Sequence, residues 1–248
     1  MAEEHIILDL AEGEADTFVV SPDGDGPFPV ILFYMDGNGL RDELFAMARR
    51  LAEQGHFVVL PNLFYRAGLG TRLNPDVNDP RSEEFARMWS LIGMLSIDKV
   101  LADADRILEW LERQPAADTT TVAVIGYCMS GQFAIATAAH WSDRVKAAAS
   151  MYGVSLITEA ENSPHRLFGR IGGEVYIGIA ELDQYAPVSD IPALRAAADL
   201  AGIAADIETY PGVDHGFGFP QRATYDAEAA ERHWHRLGAL FQRTLHHD

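Results

Sequence analysis

The sequence has a single cysteine, few basic residues and no long apolar run, and each of these shortages excludes a class of protein. One cysteine, Cys128, cannot form an internal disulfide or a cysteine zinc cluster. Its thiol is either a small core side chain or a reactive group in a reducing compartment. The 19 basic residues face 37 acidic ones, and the resulting net charge of −18 would repel nucleic acid and anionic membranes. No apolar run approaches the roughly 18 to 20 residues of a membrane span.

Length and the first residues predict one cytoplasmic domain. A chain of 248 residues is long enough for one large α/β domain with a buried core, and short for two. Two glutamates precede the short apolar stretch at 6–8, where a signal peptide would carry positive charge. We therefore expect a single domain over residues 1–248, in the cytoplasm, with no nucleic-acid partner and no membrane partner.

Strand and helix patterns alternate along the chain. The apolar runs at 29–35 and 56–64 are typical of buried strands, and a helical pattern at 36–55 lies between them. Further strands are predicted at 5–10, 16–21, 121–126, 145–152, 174–180 and 206–210, and further helices at 97–114, 130–141, 189–202 and 222–245. This alternation predicts an α/β fold with a mostly parallel sheet and helices on both faces. The segments 61–96 and 154–173 show neither pattern, so we expect them to be long loops that line a pocket.

The segment "GYCMSG" contains Cys128 and lies between a predicted strand and a predicted helix. We interpret it as a strand-to-helix elbow of the G-x-C-x-G type, in which the nearby glycines Gly126 and Gly131 avoid collisions between strand and helix. Such a turn presents a nucleophile above the sheet, at a helix N-terminus that favours a thiolate. The alternative is a buried packing cysteine between glycines that only end a strand.

An acid and a histidine follow the elbow in the order that this kind of elbow requires. Asp183 lies after the strand "EVYIGIA", and His215 lies after the strand ending in "DIETY". A histidine there can take the thiol proton, and an aspartate behind it can orient the ring. Glu181 and Asp214 are alternative acids, and a histidine bonded only to backbone is the alternative for His215. We predict Cys128 as nucleophile, His215 as base and Asp183 as its partner.

These residues resemble the dienelactone hydrolases of the α/β-hydrolase superfamily. The resemblance runs over nearly the whole chain, through "PVILFYMDG", "PNLFYR", "GYCMSG", "ELDQYAPV" and "DHGFGFP". It implies an α/β-hydrolase fold, a triad of Cys128, His215 and Asp183, no metal and no organic cofactor.

The resemblance also implies a second acid, after the third strand. Here that position is Asp36, where the best-known members carry glutamate. Asp36 either helps to hold or deprotonate the thiol, or it is the N-cap of a helix over residues 40–54. We expect the oxyanion hole to consist of backbone N–H groups from Met129 and from Gly37 in the turn after Asp36.

The predicted substrate contacts depart from the family pattern. Dienelactone hydrolases hold a substrate carboxylate with two arginines, one of them upstream of a tryptophan. Arg81 and Trp89 match the first with a spacing that differs by one residue, and a solvated surface charge is the alternative for Arg81. Phe219 occupies the position of the second, and the next arginine is Arg222. An apolar segment here favours a neutral or aromatic acyl group.

Taken together, the sequence predicts a hydrolase that cleaves a small carboxylic ester or lactone through an acyl-enzyme intermediate. A general carboxylesterase acting on neutral or aromatic esters is the alternative within this class. A non-hydrolytic ligand receptor on the same fold is the alternative of a different class. Both a monomer and a homodimer are compatible with the sequence.

Overall fold

A computed structural model describes residues 1–245, and the chain divides between Thr119 and Thr120 into two compact units. His246 and His247 lie outside the described residues. That the whole chain forms one domain stays a prediction.

The first unit contains four strands in the order β1-β2-β4-β3. A hairpin joins β1 to β2, β2 runs antiparallel to β4, and β3 runs parallel to β4. Helix α1 packs against β2 and β4. The elements are β1 (Ala2–Leu10), β2 (Gly13–Ser21), β3 (Phe28–Tyr34), α1 (Asp42–Glu53), β4 (Phe57–Pro61), α2 (Glu83–Ile92) and α3 (Ile97–Leu111).

The second unit contains four parallel strands in chain order, β5-β6-β7-β8. Strand β6 is buried except at Lys146, and both α4 and α7 pack against it, so helices cover both of its faces. The mostly parallel α/β architecture predicted from the sequence is confirmed. The elements are β5 (Ala117–Tyr127), α4 (Gly131–His140), β6 (Val145–Met151), α5 (Pro164–Leu167), β7 (Glu174–Ala180), α6 (Ile191–Ala201), β8 (Ala205–Tyr210) and α7 (Ala227–Leu245).

Several predicted boundaries are wrong. The segment 61–96 is not only loop, since it contains the ten-residue helix α2, which Ser82 caps by accepting a hydrogen bond from the Phe85 N–H. Helix α1 begins at Asp42 with Arg41 as its N-cap, so Asp36 does not cap it. Helix α7 begins at Ala227 instead of 222, because the residues before it form turns.

Candidate active site

Cys128 stands at a sharp turn between β5 and α4. Its φ is +57°, a left-handed conformation that is strained for a residue with a Cβ, and its side chain is partly exposed. The Ser130 hydroxyl holds the turn, because it accepts from the Tyr127 N–H and donates to the Tyr127 carbonyl, both at 3.0 Å. The Cys128 carbonyl accepts from the Val154 N–H at 3.0 Å. The backbone therefore fixes where the thiol points.

The glycines beside the turn are required by close backbone approach. A Cβ on Gly126 would lie 2.2 Å from the Ser130 carbonyl oxygen. A Cβ on Gly131 would lie 2.3 Å from the Ser150 hydroxyl and 2.5 Å from the Gly153 Cα. The spacing assumed from the sequence is wrong by one residue, since Ser130 lies two positions after Cys128 and the second glycine lies three positions after it.

We expect Gly126→Ala to destabilise the protein, because the new methyl group meets backbone atoms that cannot move independently. Overpacking of this kind costs about 1 to 3 kcal/mol, and each kcal/mol lowers the Tm by roughly 2 to 4 °C in a protein of this size. Gly169→Ala is the matched control, since a Cβ there meets nothing within 4 Å. Thermal melts of the two variants should differ clearly; equal Tm values would contradict the packing argument.

His215 lies on the loop after β8, with the Asp183 carboxylate against its ring. The His215 Nδ1 is 2.7 Å from the Asp183 Oδ2, and the Asp183 side chain is fully buried. The other carboxylate oxygen, Oδ1, accepts from the backbone N–H groups of Tyr185 at 2.7 Å and Ala186 at 3.1 Å. A second hydrogen bond joins the His215 ring to the Cys128 side chain. Asp183, His215 and Cys128 therefore form a continuous chain of contacts.

The two alternative acids point to backbone instead of to the ring. The Glu181 carboxylate accepts from the Gly212 N–H at 2.7 Å. The Asp214 carboxylate accepts from the His215 N–H at 2.6 Å. Both hydrogen bonds shape the loop that carries the histidine, and Asp183 is the acid in contact with the imidazole.

The electrostatics of this cluster favour a protonated histidine. Burial alone would lower the pKa of His215, because it disfavours the imidazolium. The electrostatic interaction with Cys128 and the hydrogen bond with Asp183 outweigh burial and raise the pKa of His215 to about 10. A charged imidazole beside a thiolate is the arrangement that a cysteine nucleophile uses, because the same ring can later protonate a leaving group.

Aromatic rings surround the imidazole. Tyr152 and Tyr185 each pack edge-on against His215, with ring centroids 5.1 Å away. Tyr185 is 53% exposed and Leu182 is 56% exposed, so apolar side chains reach solvent beside the histidine. These residues give the rim of the site an apolar and aromatic character.

In the first unit, Asp36 is fully buried and paired with Arg41. The Arg41 guanidinium contacts both carboxylate oxygens of Asp36, at 2.5 and 3.3 Å, and also binds Glu43 and the Gly39 carbonyl. Gly37 lies under α2, with a notional Cβ 3.1 Å from the Ile92 side chain. Arg41 therefore braces the turn that contains both Asp36 and Gly37.

The two predicted substrate contacts in the first unit, Arg81 and Trp89, are both exposed. The Arg81 side chain is 90% exposed and pairs with Asp79 at 3.2 Å. Trp89 on α2 is 47% exposed, and its ring packs edge-on against Phe85.

In the second unit, Phe219 is fully buried and packs against Tyr127 and Tyr152. The Arg222 guanidinium lies 5.7 Å from the centre of the Phe219 ring. Phe219 thus lies beneath the site and not on its surface, and an arginine at this position would bring a charge into an aromatic core.

Three residues of the site, Tyr185, Tyr152 and Ser130, are not predicted from the sequence. Tyr185 lies in "DQYAPV", two residues after Asp183, and this proximity in sequence indicates that it is close to the site. The sequence shows Ser130 as a polar residue in the turn. Its hydrogen bonds with Tyr127 depend on the backbone conformation, which the sequence does not show. The contact between Tyr152 and His215 joins positions 63 apart in the chain, and only the fold brings them together.

Residues 1–245 contain neither a group of side chains suited to a metal ion nor a helix suited to a membrane. Within this range no three His, Cys, Asp or Glu side chains are grouped to hold a metal ion. Within the same range no helix has the length and apolar character needed to cross a membrane. His233 and His235 face different ways on α7, since the first is buried and the second exposed.

Comparison with known proteins gives a consistent result. The model of the dienelactone hydrolase family matches residues 15–245. A protein of Escherichia coli O157:H7 named "Putative carboxymethylenebutenolidase" is 28% identical over 230 residues, which cover 88% of this chain and 78% of that protein. A protein of the same name from Synechocystis is 27% identical, with 92% and 91% of the two chains covered.

A solved structure agrees with the sequence comparison. The crystal structure named "Putative Dienelactone Hydrolase", from Klebsiella pneumoniae, superposes with a TM-score of 0.82 at 25% identity, covering 98% of this chain and 100% of that one. The predicted α/β-hydrolase fold is confirmed by this match together with the parallel strand order. The chain therefore belongs to the dienelactone hydrolase family and is a hydrolase of that kind.

Proposed function

We propose that this protein hydrolyses a carboxylic ester or lactone, with Cys128 as nucleophile, His215 as acid and base, and Asp183 as the group that orients His215. The single observation that carries the proposal is the chain of contacts in which the His215 ring bonds Asp183 at 2.7 Å on one side and Cys128 on the other. A histidine held between a carboxylate and a nucleophile is the general arrangement for acyl transfer.

The first half of the reaction forms the acyl-enzyme. The Cys128 thiolate attacks the carbonyl carbon, a C–S bond forms, and the carbonyl electron pair moves onto oxygen. The tetrahedral intermediate then collapses, the C–O bond to the alcohol breaks, and the departing oxygen takes the proton from His215. The raised pKa of His215 supports this step, because the ring still carries that proton when attack occurs.

The second half returns the enzyme to its starting state. Neutral His215 takes a proton from water, and the resulting hydroxide attacks the thioester carbonyl. The C–S bond breaks, the carboxylic acid leaves, and the thiolate again pairs with the imidazolium. No cofactor or metal takes part in these steps as we propose them.

Two further groups complete the proposed machinery. The backbone N–H groups of Met129 and Gly37 would stabilise the oxyanion, because donors that are already oriented need no reorganisation during the reaction. Asp36 is proposed as the second acid that helps to hold the resting thiol. Its ion pair with Arg41 supports the proposed donor Gly37, because Arg41 also binds the Gly39 carbonyl and so holds the turn in one conformation.

For the substrate we propose a neutral or aromatic ester or lactone, with a carboxylated lactone as the second candidate. The exposed apolar rim of Tyr185 and Leu182 suits an uncharged group. Two carboxylates, Glu181 and Asp214, shape the adjacent loop and disfavour an anion there. Arg81, Trp89 and Phe219 remain proposed contributors to substrate binding, Phe219 by packing beneath the site.

A matched pair of substrates tests this choice. Phenyl butyrate and monophenyl succinate have acyl chains of the same length, and only the second carries a terminal carboxylate. We expect kcat/KM for phenyl butyrate to be at least equal to that for the succinate ester. A preference of about 100-fold or more for the succinate ester would contradict the proposal, because it requires a desolvated cation worth on the order of 2 to 5 kcal/mol.

Arginine variants test which side chain binds a substrate carboxylate. Release of phenol distinguishes a hydrolase from a ligand receptor. Should the succinate ester be preferred, Arg81→Ala or Arg222→Met should lower kcat/KM for that ester alone, whereas equal losses on both esters would assign the arginine to structure. Binding of either ester without release of phenol would favour the alternative of a ligand receptor.

Location and assembly stay predictions. A reactive thiol persists in a reducing compartment, which supports the cytoplasm. We propose a small molecule as the only kind of partner besides a second copy of the chain, with monomer and homodimer both open.

A further inference from the structure

A second histidine, His233, lies buried beneath the candidate active site. It belongs to α7, is 0% exposed, and takes no part in the proposed reaction. Its Nε2 is 3.1 Å from the hydroxyl of Tyr127, the residue directly before Cys128. A titratable ring is thus joined by one hydrogen bond to the neighbour of the proposed nucleophile.

The hydrogen bonds of His233 define its tautomer. Nδ1 is bonded to the Ala230 carbonyl oxygen, which can only accept, so Nδ1 carries the proton. In the neutral ring Nε2 then has a free lone pair and accepts from the Tyr127 hydroxyl. Both ring nitrogens are therefore used in a defined direction, and the ring cannot rotate without losing both bonds.

Tyr127 is held at both of its ends. Its backbone N–H and carbonyl bond the Ser130 hydroxyl inside the elbow, and its hydroxyl bonds His233. Its ring packs against Tyr152 and Phe219, with centroids 5.8 and 5.4 Å away. Because Cys128 has a strained φ of +57°, the orientation of the residue before it directly affects where the thiol points.

His233 also contacts the loop that carries the proposed base. Its ring packs edge-on against Phe217, two residues after His215, with centroids 6.2 Å apart. A Cβ on Gly218 would lie 3.4 Å from the His233 Cε1, so the loop backbone passes close to the ring. One side chain on α7 therefore touches both segments that position the reacting groups.

We propose that His233 is a positioning residue that sets the elbow of Cys128 against the loop of His215 through its hydrogen bond with Tyr127. The proposal rests on the proposed function for the roles of Cys128 and His215. The hydrogen bond sets the distance and angle between thiol and imidazole, and a misplacement of about 1 Å in such a pair can cost on the order of 100-fold in rate.

Four variants test this role. His233→Leu and Tyr127→Phe each remove the hydrogen bond, and we expect each to lower kcat by about 10- to 100-fold with little change in KM. His233→Gln should restore most of the rate, because the amide can accept from Tyr127 and donate to Ala230. The double variant His233→Leu/Tyr127→Phe should lose no more than either single variant, since both remove the same interaction. His235→Leu, exposed on the same helix, is the control and should match the wild type.

A second measurement keeps this test separate from the proposed function. The rate at which iodoacetamide alkylates Cys128 reports how imidazole and thiol are aligned, even if no ester is turned over. We expect His233→Leu to slow alkylation and His233→Gln to restore it. Alkylation and kcat unchanged in folded His233→Leu, or losses that multiply in the double variant, would overturn the proposal. If neither the wild type nor any variant hydrolyses esters, but His233→Leu slows alkylation and His233→Gln restores it, the proposed function is overturned and the positioning role of His233 stands.

Discussion

Cys128→Ala is expected to abolish ester hydrolysis while the protein stays folded. Removing a covalent nucleophile costs about 10⁴-fold or more in kcat, because what remains is catalysis by the oxyanion donors and by binding alone. Alanine fits the turn, since the partly exposed thiol fills no closed cavity and the flanking glycines are unchanged. Steady-state hydrolysis of phenyl butyrate measures the loss.

Two controls belong to this experiment. Iodoacetamide should label the wild type at one position and the alanine variant at none, since Cys128 is the only cysteine. Thermal melts should show that the variant is folded. If a folded Cys128→Ala protein kept more than a few per cent of the wild-type rate, Cys128 would not be the nucleophile.

Asp183→Asn is expected to cause the second large loss and to change the pH profile in a defined direction. The carboxylate orients the His215 ring and its hydrogen bond helps to raise the pKa of His215 to about 10. Without the carboxylate we expect kcat to fall by about 10⁴-fold, since an amide can hold the wrong tautomer. The pKa of His215 should also fall, so that the ring loses its proton at lower pH.

The pH dependence of kcat/KM provides the measurement. In the wild type the alkaline limb should lie near pH 10, where the imidazolium loses its proton. In Asp183→Asn the alkaline limb should move to lower pH. Asp214→Asn is the matched control, because the Asp214 carboxylate accepts from the His215 backbone N–H; this variant should leave the alkaline limb in place. An alkaline limb that does not move in Asp183→Asn would contradict the assigned partner.

Much of the fold could be predicted because its signals are local. The strand at 174–180 was predicted to the residue, since a continuous buried run between turn residues has few other interpretations. Helix α2 was missed because polar residues and prolines dominate segment 61–96. Its signal was nevertheless present, as a serine cap followed by two acids and apolar residues three positions apart.

Some features of the candidate site can be predicted from the sequence, and others depend on tertiary packing. The order of Cys128, Asp183 and His215 after three strands is a feature of sequence, and the structure brings these three side chains into contact. The bond between His233 and Tyr127 joins positions 106 apart, so no local pattern could predict it. The burial of Phe219 likewise depends on Tyr127 and Tyr152, which reach it only through tertiary packing.

Direct detection of the acyl-enzyme tests whether Cys128 is the nucleophile. Wild-type protein is mixed with p-nitrophenyl butyrate, quenched in acid during the burst of p-nitrophenol, and analysed by intact and peptide mass spectrometry. We expect one butyryl group per chain, on the peptide that contains Cys128. This group should be lost on treatment with neutral hydroxylamine and absent from Cys128→Ala. A butyryl group on another residue, or rapid hydrolysis by folded Cys128→Ala, would rule out Cys128 as the nucleophile.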